Sequence, residues 1–293
     1  MSSQQLPKEL DVVEQVKIYQ WIDQLLIPAK REEAMLELCR RRDLVPEMAI
    51  WVWNAFGTIA ALVDEIMKIY PAVNMAYLSS GQSNRVCCAL ALLQCVACHP
   101  DTRDAFFKSR ISLFLYPFLK TETMSGPFEN LRLTSLGVIG AMAKTGKEEV
   151  IHFLLATEIT PLCLRIMESG SELPKTLATY ILTMILLDDT GLNFICGKYE
   201  RFSEVVLALK QLVHYLAQNP SPRLLKYVVR CYLRLSETAR GREALRLCAP
   251  KELRDETFTS LPHVDMQVKH WLFNFNRNLA TNQVIGSSGI VPL

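Results

Sequence analysis

VCCALALLQCVACHPD, residues 86–101, holds the architecture of this chain. Wound as a helix, residues 86–98 put apolar or thiol side chains on every face, so that helix must be covered on all sides by other elements. His99-Pro100-Asp101 then ends it, because proline cannot continue a helix and aspartate is a good cap for the next one. The same order of events returns at Lys144-Thr145-Gly146, at Asp188-Asp189-Thr190-Gly191 and across residues 236–241, roughly every 45 residues, the spacing of armadillo-type helical units. Each break separates a long apolar helical pattern from shorter amphipathic ones. A unit of this kind cannot bury its apolar face alone, so copies have to stack, and the product is an extended surface. The prediction is an all-α, armadillo-type helical-repeat superhelix of about six repeats, a shape suited to binding rather than catalysis.

Outward from that stretch, residues 129–143 repeat the long helix, and residues 148–155 and 160–167 the short pair. The third copy starts at Pro174 and ends at Asp188-Asp189, where either carboxylate can cap the next helix. The fourth starts at Ser221-Pro222, an N-cap residue followed by proline at the first helical position. Upstream, residues 102–108 and 112–119 form short helices. Residues 12–26 carry Val13, Val16, Ile18, Ile22 and Leu25 with Trp21 on one amphipathic helix, and residues 31–41 form a second. Residues 46–69 read as one apolar helix past Trp51, Trp53, Phe56 and Ile59, with Gly57 a kink or a point of close contact and Pro71 ending it. Residues 265–279 set Val268, Trp271, Leu272 and Phe275 on one side, as a cap for the last repeat. The chain divides into a flexible start (residues 1–14), one armadillo-repeat domain (residues 15–279) and a disordered tail (residues 280–293), where TNQVIGSSGIVPL has too little periodicity to pack.

Composition narrows the function. Only 12 of the 293 residues are glycine, few for phosphate-cradling loops, and a formal net charge of +2 does not make the whole molecule a polyanion binder. The start, MSSQQLPKELDVVEQVK, has no apolar stretch behind a basic one, and the longest apolar stretches, residues 136–143 and 180–187, fall far short of the roughly 20 residues a membrane span needs. The expectation is a chain that stays inside the cell with no membrane partner, its nine cysteines reduced and packed as core thiols.

Cys95-Val96-Ala97-Cys98-His99 matches a haem-attachment spacing, but covalent haem needs an export or organellar route that this start does not supply. A zinc site from Cys87, Cys88, Cys95, Cys98 and His99 would need four converging ligands, and Cys87 points away from the face that Cys88 and Cys95 share. No metal and no cofactor is expected. Catalysis is not expected either, since there is no GxSxG, HExxH or P-loop, and His99, His152, His214, His263 and His270 fall in separate units. Asp188 and Asp189 are adjacent at a helix start and do not face one another. Arg223, Lys226, Arg230 and Arg234 fall at helical spacing, followed by Arg240, Arg242 and Arg246. This stripe reads as a solvated or ion-paired face, as a weak track for RNA with Tyr227 or Tyr232 for stacking, or as a contact for an acidic partner peptide; no RNP-type motif accompanies it.

The strings KIYQWI (residues 17–22), QSNRVC (82–87), ALALLQCVA (89–97), LFLYPFL (113–119), LRLTSLGVIGA (131–141), TPLCLRIMESGSEL (160–173), ILLDDTGL (185–192) and VVRCYLRLS (228–236) resemble the required-for-cell-differentiation family. That family is the armadillo-repeat subunit of the carbon-catabolite-repression/NOT mRNA deadenylase complex, and the resemblance covers roughly residues 15–278. It implies a non-catalytic module, cytoplasmic (including mRNA processing bodies) and also nuclear, that docks on the NOT scaffold subunit. It also implies partners of two kinds: glycine-tryptophan repeat silencing adaptors, received in small tryptophan pockets, and helical peptides of RNA-binding proteins, received in a groove.

On this resemblance the tryptophan pockets fall to Pro161, Tyr199, Arg201 and Arg240, where a proline edge, a tyrosine ring and guanidinium planes can sandwich an indole. The peptide groove falls to Asn54, Phe56, Ala60, Gly137 and Leu177, read as positions on long helices, with Asn130 beside them. Without the resemblance these positions are ordinary helix caps, solvent-facing arginines and core residues. The chain also departs from the family pattern. Asn130 stands where a tyrosine usually follows PFE, Asn54 where histidine is common and Leu177 where valine is usual, the pattern of a divergent paralogue. Asn130 removes an aromatic contact from the groove, so its peptide ligands and any homodimer through that face lose an anchor.

Overall fold

The computed structural model describes residues 12–260 and 264–280; the expectations for the first eleven residues, for His263 and for the tail from residue 281 lie outside them. The described residues contain helices and turns and no strand. Helices α1 (Val12–Gln24), α2 (Arg31–Arg41) and α3 (Met48–Asn54) form a first layer, and α4 (Thr58–Lys68), α5 (Tyr70–Asn74) and α6 (Ser80–Cys98) a second. The third is α7 (Arg103–Lys108), a 3-10 turn (Ile111–Leu115) with α8 (Tyr116–Leu119), and α9 (Gly126–Ala143). Two regular triads follow, α10 (Glu148–Ala156), α11 (Ile159–Ser169) and α12 (Glu172–Leu187), then α13 (Asp189–Cys196), α14 (Tyr199–Gln218) and α15 (Pro222–Leu235). The last layer is α16 (Ala239–Cys248), a 3-10 turn (Lys251–Leu253) and α17 (Met266–Ala280).

The third helix of each layer packs on the third helix of the next, so α3, α6, α9, α12, α15 and α17 make one inner row. The long members begin at residues 80, 126, 172 and 222, keeping the period expected from the breaks. Polar bonds cross between layers at nearly the same period. Ser83 donates to the Pro127 carbonyl (2.7 Å), Arg165 to Leu119 (2.7 Å) and Arg234 to Leu186 (2.9 Å), partners 44, 46 and 48 residues apart. The Leu119 and Leu186 carbonyls are left over at helix C-termini, and all three bonds fix the register of one layer on another.

The break chemistry is physical. Asp188 accepts from the Thr190 and Gly191 amides (2.9 and 3.1 Å), and Thr238 accepts from Gly241 in the equivalent turn (3.0 Å). At both glycines a Cβ would run into the preceding helix, 2.0 Å from the Ile185 carbonyl oxygen and 2.3 Å from that of Leu235. Only a residue without a side chain allows the chain to turn 101° from α12 into α13.

Several details differ from the sequence reading. The apolar run of residues 46–69 is two helices, bent by 87° at Ala55-Phe56-Gly57, with Gly57 in the left-handed region (φ +81°) opening α4. Pro71 does not end a helix but lies in the first turn of α5, where a missing N–H costs nothing. Val13 and Val16 are exposed, leaving Ile18, Ile22 and Leu25 to bury α1. Ser221 precedes Pro222 as expected, but its side chain does not cap α15. Residues 86–98 are not covered on all sides: Cys87, Cys88, Gln94 and Cys95 are half-buried and Cys98 is exposed, so one face of α6 is open. Of the nine free cysteines only Cys163, Cys196 and Cys231 are buried, so most are not core thiols.

One charged cluster ties the first two layers together. Glu65 on α4, 2% exposed, accepts from Arg31 of α2 (2.8 Å), Lys68 (3.0 Å) and Arg85 of α6 (2.5 Å), while Arg31 also pairs with Asp64 (2.8 Å). Burial pushes the Glu65 carboxyl up, but the hydrogen bonds from Arg85, Arg31 and Lys68 outweigh it and hold it below its ordinary value of 4.5. A lowered folded value means stability that is present above that ordinary value and is lost as pH falls through the lowered one. Glu65→Gln removes the buried charge that Arg31 and Arg85 share and leaves them only Asp64 and Glu32, and urea denaturation is expected to show a loss of about 1–3 kcal/mol at neutral pH. Its stability should also fall less on acidification than that of the parent chain.

Candidate binding surfaces

The open face of the inner row forms one continuous strip, traceable by contacts from helix to helix. Gln94 of α6 lies against Gly137 of α9, where a Cβ would sit 3.0 Å from its Oε1. Tyr180 of α12 covers Gly140, its ring 3.5 Å from where a Cβ would be, and packs at a tilt against Tyr227 of α15 with ring centroids 5.3 Å apart. Arg230 of α15 then lies over the Trp271 ring of α17, 5.0 Å from its centroid. The strip is half-exposed and thiol-lined at α6, closes over buried glycines at α9, and is aromatic and basic toward α15 and α17.

The expected groove residues divide on this surface. Asn130, Gly137 and Leu177 come to neighbouring inner helices, Asn130 exposed, Leu177 half-exposed and Gly137 buried beneath Gln94. The close approach that Gly137 permits is therefore used by Gln94, a residue the sequence reading left out. Asn54, Phe56 and Ala60 are not on a long helix, since the break at residues 55–57 puts them at the end of α3, in the turn and on α4, across α6 from α9. All three are exposed, and Phe56, 96% exposed, holds a full aromatic ring in solvent.

A second surface is built by turns between outer helices. Pro161 and Leu164 of α11, Phe194 and Ile195 of α13, and Arg201 of α14 line a cavity of ≈ 320 Å³. The Arg201 guanidinium lies over the Phe194 ring, 3.6 Å from its centroid, and donates to the Phe194 carbonyl (3.3 Å). Pro161 also borders a second hollow of ≈ 270 Å³ with Arg165, Glu204 and Leu207. Arg240 donates to the carbonyls of Cys196 and Gly197 (3.4 and 3.0 Å), at the turn just before Tyr199, whose ring is 69% exposed. The structure thus brings Pro161 and Arg201 into one cavity and sets Tyr199 and Arg240 at the adjoining turn. Phe194 is the residue missed. Its signal was weak, a single aromatic in GLNFIC that reads as core.

The basic stripe is mostly engaged. Arg234 donates to the Leu186 and Leu187 carbonyls (2.9 and 3.4 Å) and pairs with Asp189 and Glu237. Lys226 reaches Asp265 (3.4 Å) and, like Arg230, sits over Trp271. Arg223 is exposed without a partner among the described residues. Tyr227 is half-exposed on the strip, but Tyr232 is fully buried and cannot stack on a ligand. Asp188 caps α13 and Asp189 pairs with Arg234, so that pair is structural. Among the described residues no three of His, Cys, Asp and Glu come together as metal ligands, and no single helix is long and apolar enough to cross a membrane.

Six stacked layers, an open inner strip and turn-built cavities define a non-catalytic helical-repeat scaffold, a protein that acts through what it binds. The chain belongs to the cell differentiation family, Rcd1-like, whose family model matches residues 21–279. It is 51% identical over 268 residues to the cell differentiation protein rcd1 of Schizosaccharomyces pombe, covering 92% of this chain and 95% of that one. It is 50% identical over 256 residues to protein CAF40 of Saccharomyces cerevisiae, covering 87% of this chain and 69% of the relative. Solved structures similar in fold are designed armadillo repeat proteins. One, in complex with a (KR)4 peptide, has a TM-score of 0.63 at 15% identity over 90% of this chain and 99% of its own. Another has a TM-score of 0.64 at 17% identity, over 89% and 99%. These establish the armadillo architecture.

The stripe gives a contrast between two arginines. Arg234→Ala leaves two helix-end carbonyls and Asp189 without their donor, and thermal or urea denaturation is expected to show a loss of about 1–3 kcal/mol. Arg223→Ala should change stability by less than about 0.5 kcal/mol.

Proposed function

We propose that this chain is an adaptor subunit of the carbon-catabolite-repression/NOT deadenylase complex. In this reading it docks on the NOT scaffold subunit and binds tryptophan-containing or helical peptides, those of glycine-tryptophan repeat silencing adaptors and of RNA-binding proteins. Target messages are thereby brought to deadenylation, repression and decay, in the cytoplasm (including mRNA processing bodies) and also in the nucleus. The observation that carries the reading is the match of residues 21–279 to the Rcd1-like family. The geometry supports it in two places. Arg201 already lies over an aromatic ring beside Pro161 at the mouth of a cavity, the arrangement an indole needs, and a guanidinium over a ring contributes about 0.5–2 kcal/mol. The uncovered inner strip, with Leu177 and Tyr180 half-exposed on α12 and Asn130 exposed on α9, offers an amphipathic helix a face to lie on.

The alternative, a helical-repeat scaffold outside that complex with weak RNA affinity, relies on the basic stripe. Arg234 and Lys226 are ion-paired there and Arg230 is stacked on Trp271, which leaves Arg223 as the cation without a partner among them. Such a surface gives a shallow salt dependence rather than a phosphate track.

Calorimetric titration with the helical segment of the NOT scaffold, in physiological salt, is expected to give one-to-one submicromolar binding. A glycine-tryptophan repeat peptide should bind the parent chain and lose binding to the Tyr199→Ala, Arg201→Ala variant, which keeps scaffold binding. Absence of heat and of co-elution with the scaffold segment would contradict the reading, as would steep salt-dependent RNA binding lost on changing Arg223, Lys226 and Arg230.

A further inference from the structure

Six of the nine cysteines keep some contact with solvent, and all but Cys248 gather at one place. Cys39, in the last turn of α2, packs against the open face of α6 where Cys87, Cys88 and Cys95 lie half-buried and Cys98 is exposed. As a thiol, Cys39 donates to the Cys88 carbonyl (3.7 Å). The Arg42 guanidinium, one turn on, points its Nη1 at the Cys39 sulfur (3.5 Å) and lines, with Cys95 and Cys98, a cavity of ≈ 380 Å³.

The electrostatics separate the two facing thiols. The neighbouring Cys88 side chain, more than burial or the charge of Arg42, sets the Cys39 value, and the balance lowers it to about 7; Asp43 works weakly against this. The same contact drives the Cys88 thiol up, and burial adds to it. Cys87 and Cys95, the other thiols facing Cys39 from α6, are raised by burial, Cys95 to about 11. With the Arg42 guanidinium at its sulfur, Cys39 is the thiol of the cluster whose thiolate is favoured, and Cys88 lies against it on α6, the arrangement of an attacking and a resolving cysteine. Cys163 and Cys231, fully buried and raised to about 12, are the inert contrast.

We propose that Cys39 and Cys88 form a hydroperoxide-responsive thiol pair that closes into a disulfide between α2 and α6. The Cys39 thiolate attacks one peroxide oxygen, forming an S–O bond and breaking O–O with release of hydroxide. The Cys88 sulfur then attacks the Cys39 sulfenic acid, and the hydroxyl leaves as water with the Cys88 proton. The two thiols give up two electrons, and hydrogen peroxide is reduced to two waters. The bond ties the first layer to the second beside the thiol-lined end of the inner strip, so the oxidised chain presents that end in a fixed geometry.

The test uses the full chain, reduced, with all nine cysteines present. Near neutral pH, limiting iodoacetamide followed by peptide mass mapping should label Cys39 about tenfold faster than the exposed Cys98, with a rate that titrates near the lowered value. Arg42→Gln should slow Cys39 several-fold and leave Cys98 unchanged. Stoichiometric hydrogen peroxide should yield a Cys39–Cys88 cross-linked peptide, reversed by dithiothreitol. Cys88→Ser should instead leave a Cys39 sulfenic acid that dimedone traps. Cys39 reacting no faster than Cys98, or peroxide leaving Cys39 unlinked or joined to a different cysteine, would overturn the proposal. Both readings come from the parent chain, so misfolding of a variant cannot protect it.

Discussion

Residues 135–143 of α9 are buried without interruption, and that constraint sets the rest of the molecule. A helix with no solvent face along nine residues can exist only if other helices cover it on every side, and here α6 and α12 cover two of them. Those helices bring the same demand to their own neighbours. The demand is met by adding layers in one direction, and it ends only where a helix carries a polar side, as α17 does with Gln267, His270 and Asn274. The result is a row in which each member holds the next in register through apolar contact, with Arg234 of α15 tied to the end of α12.

Function follows from what the stacking leaves open. Backbone polar groups of the inner row are satisfied within helices, so the strip it exposes is a rigid side-chain surface that a ligand need not order. The outer cavities arise differently, at turns where a chain that must bend sharply leaves space between helix ends. Arg201 and Arg240 are both held there by backbone carbonyls, so their guanidinium planes are positioned before any partner arrives. Planar cations held in this way beside Pro161 and Tyr199 are what the proposed reception of aromatic side chains would use.

Much of this fold is written locally. Proline, glycine and capping residues repeat with the stacking period, and the long helices keep their apolar character between them, so the layers are visible in the sequence. Where two local signals compete the reading is weaker. Trp51, Trp53 and Ile59 make residues 46–69 look continuous, and an extended Ala55 followed by the left-handed backbone at Gly57 separates α3 from α4. Pro71 can stop a helix or begin one, and the choice depends on how α4 ends. The sites are less legible because they join residues from different layers. Phe194 becomes a stacking platform only when α14 swings Arg201 across it, and Cys39 meets Cys88 across 49 residues of chain. The arginines of α15 look like a free stripe until Asp189, Asp265 and Trp271 arrive from elsewhere.

The central claim, that this scaffold acts by recruitment to a deadenylase, is tested most directly by tethering the chain to a reporter message in cells and measuring poly(A) tail length. The expected result is a shortened tail, with the effect abolished when the NOT scaffold subunit is depleted. A tail of unchanged length with the tethered chain folded and abundant, or shortening that persists without the scaffold, would contradict it.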